Sequence, residues 1–449
     1  MEGDVQYGLV IHMVATKFHY KFPYKLFIAL MLLTFVPTVY QTFRVYFLVT
    51  TGSIAALDVV GQIEWFDLIN ETFQAFLLIP MYYILSRFMG DKQIFASKIT
   101  QACLITFVIY LIFSIIVYLY SLNLVSFMVT ATESIAEITT YLQLETVAFT
   151  IGILGSFYAI VYVLIGKSKY IYALLIAKSI LIVFGDSILI PEFGVNGIAY
   201  TNILLSIIIA IVSIGLLHFE GLLCLKVGKL GDFNWLVDWA KTGFFSGSQV
   251  FLDNLIYTVI IVKMVNDVAE VGNYWIANNF IWGWLLVPVI ALAEIIKKES
   301  TNGCQRESMI AYLVLNGIIL GVWALTIPTW TFIFRDLMGI ANSASIFSIV
   351  TLLVPFYVFY NLSSLFDNIF YGMGKTAPVF ITSVVVNIGY YGIVYLLFMA
   401  GAFTASMQFV ILMFGCGMIV HFACISLLYL GMLKKPQLIK KDHGSFILE

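Results

Sequence analysis

The chain has 449 residues, of which 61% are hydrophobic and only 11% are charged, and its mean hydropathy is +1.00. Hydropathy this high excludes a water-soluble globule of this length and indicates a protein that crosses a membrane several times. The formal net charge of −2 comes without a basic patch, so the sequence also excludes a nucleic-acid-binding protein.

Twelve apolar segments follow one another along the chain. Each has roughly 20 to 26 residues and can therefore cross a hydrocarbon core of about 30 Å as a helix. The period-two alternation of a membrane β-barrel is absent. We therefore predict an all-α polytopic membrane protein with helices near residues 26–50, 62–86, 99–120, 140–164, 170–190, 196–217, 240–262, 271–295, 308–333, 345–370, 376–399 and 405–431.

The two halves of the sequence match when the chain is shifted by 208 residues. This offset places Leu77-Leu78-Ile79-Pro80 on Leu285-Leu286-Val287-Pro288, and Gly166-Lys167-Ser168 on Gly374-Lys375-Thr376. One offset that serves two distant landmarks indicates an internal repeat. Because each repeat has six spans, an even number, the two copies are parallel and related by a pseudo-twofold axis along the membrane normal.

The prediction divides the chain into five parts. Residues 1–25 form a cytosolic N-terminal segment, residues 26–217 the N-lobe with helices 1 to 6, and residues 218–239 a cytosolic linker. Residues 240–431 form the C-lobe with helices 7 to 12, and residues 432–449 a cytosolic tail. One chain supplies both lobes, so we expect a monomer in the lipid bilayer.

Positive charges orient these segments. Nineteen of the 23 Lys and Arg residues lie in every second connection and at the two termini, which predicts cytosolic termini in a multi-pass protein of the cytoplasmic membrane. The first apolar run is too long for the core of a signal peptide and is interpreted as a span. Four cations depart from the pattern: Arg44, Lys178, Lys263 and Arg335.

Motifs for catalysis, metal binding and nucleotide binding are missing. The five cysteines form no CxxC pair, and no two histidines flank a carboxylate at helical spacing. The run Gly372-Met373-Gly374-Lys375-Thr376 lacks the first glycine of a phosphate-binding loop, so a tight turn is the simpler interpretation. We expect no enzyme activity, no metal and no cofactor, and energy for transport from a gradient of an ion such as H⁺ or Na⁺, or from the flow of substrate.

Several charges fall inside the first six spans. Ionised side chains in a bilayer are costly and tend to face a partner or a water-filled cavity. Asp67 and Glu71 lie one turn apart on the second helix, and Glu71 is close to mid-depth. Arg44, Asp67 and Asp186 lie at similar depths and are predicted to meet in an outward-facing pocket, with Glu71 and Lys178 nearer the middle. The alternative interpretation is that Arg44 and Lys178 only neutralise nearby carboxylates as structural ion pairs.

The second six spans carry fewer charges. Asp253 in the seventh helix and Asp367 in the tenth cannot easily reach the interfaces, so they are predicted to line the central cavity. Lys263 and Glu294 lie at helix ends and are predicted to extend their charged groups to the interfaces.

These features resemble the multidrug and toxic compound extrusion (MATE) family, within the superfamily that also contains oligosaccharide-lipid flippases. The resemblance covers roughly residues 25 to 430. It is carried by Thr51-Gly52-Ser53-Ile54-Ala55-Ala56-Leu57, Gly90-Asp91, Gly166-Lys167-Ser168, Asp186 with Ile190, Phe193-Gly194-Val195-Asn196-Gly197-Ile198-Ala199-Tyr200-Thr201, and Gly372-x-Gly374-Lys375-Thr376.

The resemblance implies a two-lobed antiporter that opens alternately to each side of the membrane. Asp186 matches an acid that one branch of the family uses in the fifth helix, but the position of its first-helix partner is Arg44. A guanidinium stays charged and would occupy the place of a cation. Asp253 matches the seventh-helix acid of another branch, whose tenth-helix partner would fall near Tyr360 or Asn361, so Asp367 is not its equivalent.

Three hypotheses follow. The first is a MATE-type exporter of small, lipophilic or cationic solutes, coupled to H⁺ or Na⁺ through Asp67, Glu71 and Asp186. The alternative is a flippase or exporter of an anionic or lipid-linked substrate that uses Arg44 and Lys178. The third, a membrane protein without transport activity, is weakened by the duplicated lobes.

Overall fold

The computed structural model describes residues 21–50, 59–60, 62–128, 135–224, 232–268, 271–340, 342–404 and 406–434. Helices make up almost all of these residues, which include no β-strand. We number the spans α1 to α12: α1 Tyr24–Thr50; α2 Glu64–Leu78 and Met81–Ser86; α3 Lys92–Met128; α4 Ile135–Leu164; α5 Ser168–Phe193; α6 Val195–Phe219; α7 Trp235–Ile256, Tyr257–Val262 and Lys263–Asp267; α8 Val271–Phe280, Ile281–Leu285 and Val287–Glu299; α9 Arg306–Phe332 and Ile333–Leu337; α10 Ser343–Gly372; α11 Ala377–Val384, Val385–Gly392 and Ile393–Met399; α12 Met407–Leu433.

The predicted all-α membrane fold is confirmed. In the described ranges, ten helices are long and apolar enough to span a bilayer, and α8 is an eleventh span that bends by 51°. With α1, which has 27 residues, twelve helices in the described ranges are numbered as spans. Helix α3 extends beyond the predicted 99–120 at both ends, because residues of mixed polarity on either side of the apolar stretch continue the helix. The helix α7 begins at Trp235, so the last residues of the predicted linker are already helical.

Parts of the prediction lie outside the described residues. These parts are most of the N-terminal segment, the motif from Thr51 to Leu57, the middle of the linker and most of the tail.

The internal repeat is visible in matched backbone turns. Gly166 and Gly374 have φ angles of 72° and 68°, in the left-handed region that glycine tolerates. Each following lysine donates its backbone N–H to the carbonyl five residues earlier: Lys167 to Tyr162 at 3.1 Å and Lys375 to Phe370 at 2.9 Å. This closes the helix C-terminus in the same way in both halves. The predicted tight turns are confirmed.

A twofold relationship also organises the contact between the lobes. Across the lobe boundary, α2 packs against α7 and α1 packs against α8. Adding or subtracting six helices converts one pair into the other, as a pseudo-twofold axis between the lobes requires. Within the N-lobe, α4 and α5 pack on α6, and within the C-lobe α10 packs on α12. Helix α1 also packs against α5, and α7 against α11, and polar side chains meet at both of these contacts.

Candidate functional site

A buried ion pair joins α1 and α5 in the N-lobe. The Arg44 guanidinium donates to both carboxylate oxygens of Asp186, from Nε to Oδ2 at 2.6 Å and from Nη2 to Oδ1 at 3.2 Å. The Tyr40 hydroxyl donates to the same Oδ2 at 3.1 Å. Side-chain exposure is 14% for Arg44 and 2% for Asp186. A two-bond pair of this kind holds both side chains in place and satisfies the charge of each.

The ion pair lies in a larger polar cluster. Lys178 of α5 is close enough to Arg44 for the two positive charges to repel each other. Glu145 of α4 is only 3% exposed, accepts a hydrogen bond from Asn202 Nδ2 at 2.7 Å, and interacts electrostatically with Arg44 and Asp186. Sequence reasoning overlooked Glu145, although it is the one carboxylate within the predicted apolar segment 140–164, a signal that could have found it.

The two acids of α2 face different neighbours. Asp67 is exposed and interacts electrostatically with Tyr110 and Tyr141 of the N-lobe. Tyr141 also interacts electrostatically with Arg44. Glu71, one turn further along, accepts a hydrogen bond at 3.3 Å from the side-chain amide of Asn254 on α7. The structure therefore places Glu71 at the boundary between the lobes, while Asp67 remains with the N-lobe.

Asp253 of α7 lies inside the C-lobe and is held by neutral donors. Its Oδ1 accepts hydrogen bonds from Ser383 Oγ at 2.6 Å and from the amide of Asn387, both on α11. Its Oδ2 accepts from the amide of Gln249, whose oxygen in turn accepts from the Tyr371 hydroxyl. No Lys, Arg or His nitrogen lies within 4.0 Å of this carboxylate in the described part of the chain.

Asp367 of α10 pairs with His421 of α12. The distance from Asp367 Oδ2 to His421 Nε2 is 3.0 Å, and the side chains are 16% and 20% exposed. This pair lies within the C-lobe, between α10 and α12. Sequence reasoning examined the histidines only for metal-binding spacing and did not identify His421 as a partner of Asp367.

The C-lobe acids and Glu71 form one electrostatic neighbourhood. Glu71 interacts electrostatically with Asp253 across the lobe boundary. The Tyr360 phenol interacts electrostatically with all three acids, Glu71, Asp253 and Asp367. The Trp282 ring packs edge-on against Tyr360, with ring centres 5.5 Å apart, and Trp282 is 40% exposed. Carboxylates and aromatic faces thus meet where the lobes adjoin.

On the side predicted to be cytosolic, hydrogen bonds join the two lobes. Trp239 Nε1 of α7 donates to the Leu77 carbonyl of α2 at 3.0 Å. The Tyr82 hydroxyl of α2 donates to the Glu294 carboxylate of α8. Glu294 also pairs with Lys297 at 2.6 Å, so this acid serves a contact between lobes as well as lying near a helix end. These contacts join α2 to α7 and α8 at that end.

Comparisons with known proteins agree on the architecture. No protein-family model and no curated protein matches the chain by sequence. Among solved structures, a point mutant of the Vibrio cholerae MATE transporter VcmN superposes with a TM-score of 0.78 at 16% identity, covering 93% of this chain and 97% of that one. A multidrug resistance MATE family transporter of the MOP superfamily, described in an outward-facing conformation, has a TM-score of 0.76 at 15% identity, covering 92% and 96%.

A third similar structure differs in its pocket. A MOP superfamily transporter from Pyrococcus furiosus, described as having a binding pocket of reverse polarity that suggests a different function, has a TM-score of 0.77 at 15% identity, covering 94% of this chain and 96% of that one. The chain therefore has the fold of the MATE transporters, with twelve helices in two six-helix lobes. Identities this low establish the fold alone.

Proposed function

We propose that this protein is a secondary active transporter that exports small cationic, lipophilic solutes by alternating access, in exchange for a coupling ion. The observation that carries the proposal is Asp253, a carboxylate inside a membrane lobe that is held only by neutral side chains. Such a group needs a proton or a bound cation for its charge to be tolerated there. The MATE fold supplies two lobes that can move against each other around such a group.

Asp253 is a better coupling residue than the N-lobe acid Asp186. The Asp186 carboxylate is already neutralised by Arg44 through two hydrogen bonds. A coupling cation could bind Asp186 only after the guanidinium moved away, which would leave a buried Arg44 without its partner. Coupling through Asp253 requires no such displacement. This assigns the coupling step to the C-lobe and a structural role to the Arg44–Asp186 pair.

The substrate site is proposed at the lobe boundary. Glu71 supplies a carboxylate, and Trp282 and Tyr360 supply aromatic faces that can stack on a flat cation. Because Glu71 and Asp253 interact electrostatically, a cation at Glu71 weakens the hold of Asp253 on a coupling ion, which is the requirement for exchange.

The anionic alternative receives less support. It needs a positive charge that is free to attract substrate, and the charge of Arg44 is satisfied by Asp186. Lys178 is then the remaining positive charge that could attract an anionic substrate. It lies beside Arg44, in the cluster that also contains the buried carboxyl group of Glu145.

The test is uptake of ethidium into inside-out membrane vesicles under imposed gradients of H⁺ or Na⁺. We expect gradient-driven uptake for the wild type, and about tenfold weaker apparent affinity for Glu71→Gln, equivalent to about 1.4 kcal/mol. Glu137→Gln serves as the control, because Glu137 is an exposed carboxylate in the first turn of α4. Absence of uptake of this and other lipophilic cations under both gradients would contradict the proposal.

A further inference from the structure

The Asp367–His421 pair is a buried titratable unit that the mechanism above does not use. Asp367 Oδ2 and His421 Nε2 are 3.0 Å apart, and both side chains are about four-fifths buried. The second carboxylate oxygen, Oδ1, is buried and has no hydrogen-bond partner among the described residues. Imidazole is the side chain whose unperturbed protonation changes near neutral pH, which makes His421 the member of the pair suited to take up and release a proton.

The charged groups that interact with His421 are the two acids Asp367 and Asp253. Its helix α12 packs against α10, against α11 and against the end of α7. Asp367 lies on α10 and Asp253 on α7, and both interact electrostatically with His421. Tyr391 of α11 donates its hydroxyl to the Phe414 carbonyl of α12.

Two further groups complete these surroundings. Tyr371 of α10 interacts electrostatically with Asp367 and Asp253. Lys263, near the end of α7, is exposed and lies 3.2 Å from the Tyr395 hydroxyl. No Lys or Arg nitrogen of the described residues lies within 4.0 Å of the carboxylate of Asp253 or Asp367.

The charge balance of this cluster depends on one proton. With a neutral imidazole, Asp253 and Asp367 are two carboxylates held only by neutral groups in a low-dielectric lobe. With an imidazolium, the net charge of the cluster is one unit less negative, which reduces the cost of burial. An imidazolium would repel Na⁺, and hard cations prefer oxygen ligands to an imidazole nitrogen. The arrangement favours a proton over sodium.

We propose that His421 and Asp367 together hold one exchangeable proton, which the arrival of a cationic substrate beside Glu71 and Asp253 displaces. The inference rests on the proposed function and extends it, because it names the proton as the coupling ion and His421 as a positioning and proton-holding residue. The link runs from Glu71, which accepts a hydrogen bond from the residue after Asp253, to Asp253 and then to His421, and each of these pairs interacts electrostatically. A cationic substrate at the lobe boundary repels the positive charge of the protonated His421 side chain. Its arrival therefore favours release of the proton.

The test counts protons released when ethidium binds to the purified protein in detergent. Calorimetry in two buffers of different ionisation enthalpy gives this number directly. His421→Gln is expected to release about one proton fewer per bound ethidium than the wild type. His218→Gln is the control, since His218 lies in the last turn of α6 outside the cluster, and is expected to match the wild type. Equal proton release by wild type and His421→Gln would overturn the inference.

A second measurement separates this inference from the proposed function. The ring signal of His421 in ¹⁵N-histidine NMR spectra, assigned by its loss in His421→Gln, can be titrated without substrate. Asp367→Asn is expected to move its titration midpoint by about one pH unit or more, and Asp253→Asn to move it by less. An unchanged midpoint in Asp367→Asn would overturn the inference even if ethidium does not bind. A shifted midpoint without ethidium binding would leave the proton-holding pair in place and count against the proposed function alone.

Discussion

The Arg44 guanidinium and the Asp186 carboxylate meet through two hydrogen bonds where α1 and α5 pack together. A buried pair of this kind constrains both members, because removing either one leaves the other as an uncompensated charge. The relationship explains how an arginine can lie inside the N-lobe and why the acid beside it is not free for an incoming cation.

Substitutions of this pair should be strongly non-additive. Arg44→Leu and Asp186→Leu are each expected to lower the free energy of unfolding by about 3 to 5 kcal/mol, whereas the double variant should recover most of this loss. Thermal unfolding in detergent micelles, read as a double-mutant cycle, measures the coupling. Additive losses would show that the two residues do not stabilise each other.

Two glycines allow the lobes to approach closely. A Cβ atom at Gly247 of α7 would overlap the Phe76 ring of α2, and one at Gly243 would overlap the Phe76 carbonyl oxygen. Gly247→Ala is therefore expected to cost about 1 to 3 kcal/mol in thermal unfolding experiments. Gly321→Ala on α9, where no atom lies within 4 Å, is the matched control and should be neutral or slightly stabilising. Equal effects of the two substitutions would contradict the close contact of α2 with α7.

The hydrogen bond from Tyr82 to Glu294 is expected to hold the predicted cytosolic side closed. Tyr82→Phe removes a bond to a charged group, worth about 1.5 to 3 kcal/mol, and should favour opening at this side. The readout is the rate at which a cysteine introduced by Ser86→Cys reacts with a water-soluble maleimide, in a background without the native cysteines. Tyr83→Phe is the control, because the Tyr83 hydroxyl makes no described hydrogen bond. A rate unaffected by Tyr82→Phe would show that the bond does not contribute to closure.

Glu220, just beyond the end of α6, gives a pH-dependent prediction. The hydroxyl of Tyr170 donates to its carboxylate and Lys167 lies 3.2 Å away, and these contacts lower the pKa of Glu220 from its ordinary 4.5. A lowered carboxyl pKa stabilises the fold above about pH 4.5, and this contribution is lost as the pH falls through the lowered value.

Removal of the Tyr170 hydroxyl tests this linkage. Tyr170→Phe should unfold at a lower temperature than the wild type at about pH 7, and the difference should shrink as the pH falls below about 4. Tyr172→Phe, two residues away on α5, is the control and should follow the wild type. A difference that stays constant with pH would contradict the assignment to Glu220.

The sequence predicted the architecture well because bilayer thickness and burial impose simple rules. The lengths of the apolar segments predict the membrane spans. The 208-residue offset between the two halves predicts the matched turns at Gly166 and Gly374. Counting residues from the outer ends of the first and fifth helices predicted similar depths for Arg44 and Asp186. The structure places their side chains in direct contact.

The partners of Asp253 and Asp367 could not be predicted in the same way. Ser383 lies 130 residues from Asp253 in the sequence, and His421 lies 54 residues from Asp367. Only the packing of α11 and α12 against their neighbours brings these groups together, and hydropathy carries no information on which helical faces meet. Gln249, one turn before Asp253, is the local partner that helical spacing alone could have supplied.

The most direct test of coupling through the C-lobe compares two variants in gradient-driven ethidium uptake. Asp253→Asn keeps the size and hydrogen bonding of the side chain but removes its charge, and it is expected to reduce gradient-driven uptake by about tenfold or more while ethidium still binds. The Arg44→Leu/Asp186→Leu double variant removes the N-lobe pair and should retain coupling. Coupling that survives Asp253→Asn and is lost in the double variant would contradict the account and return the coupling site to the N-lobe.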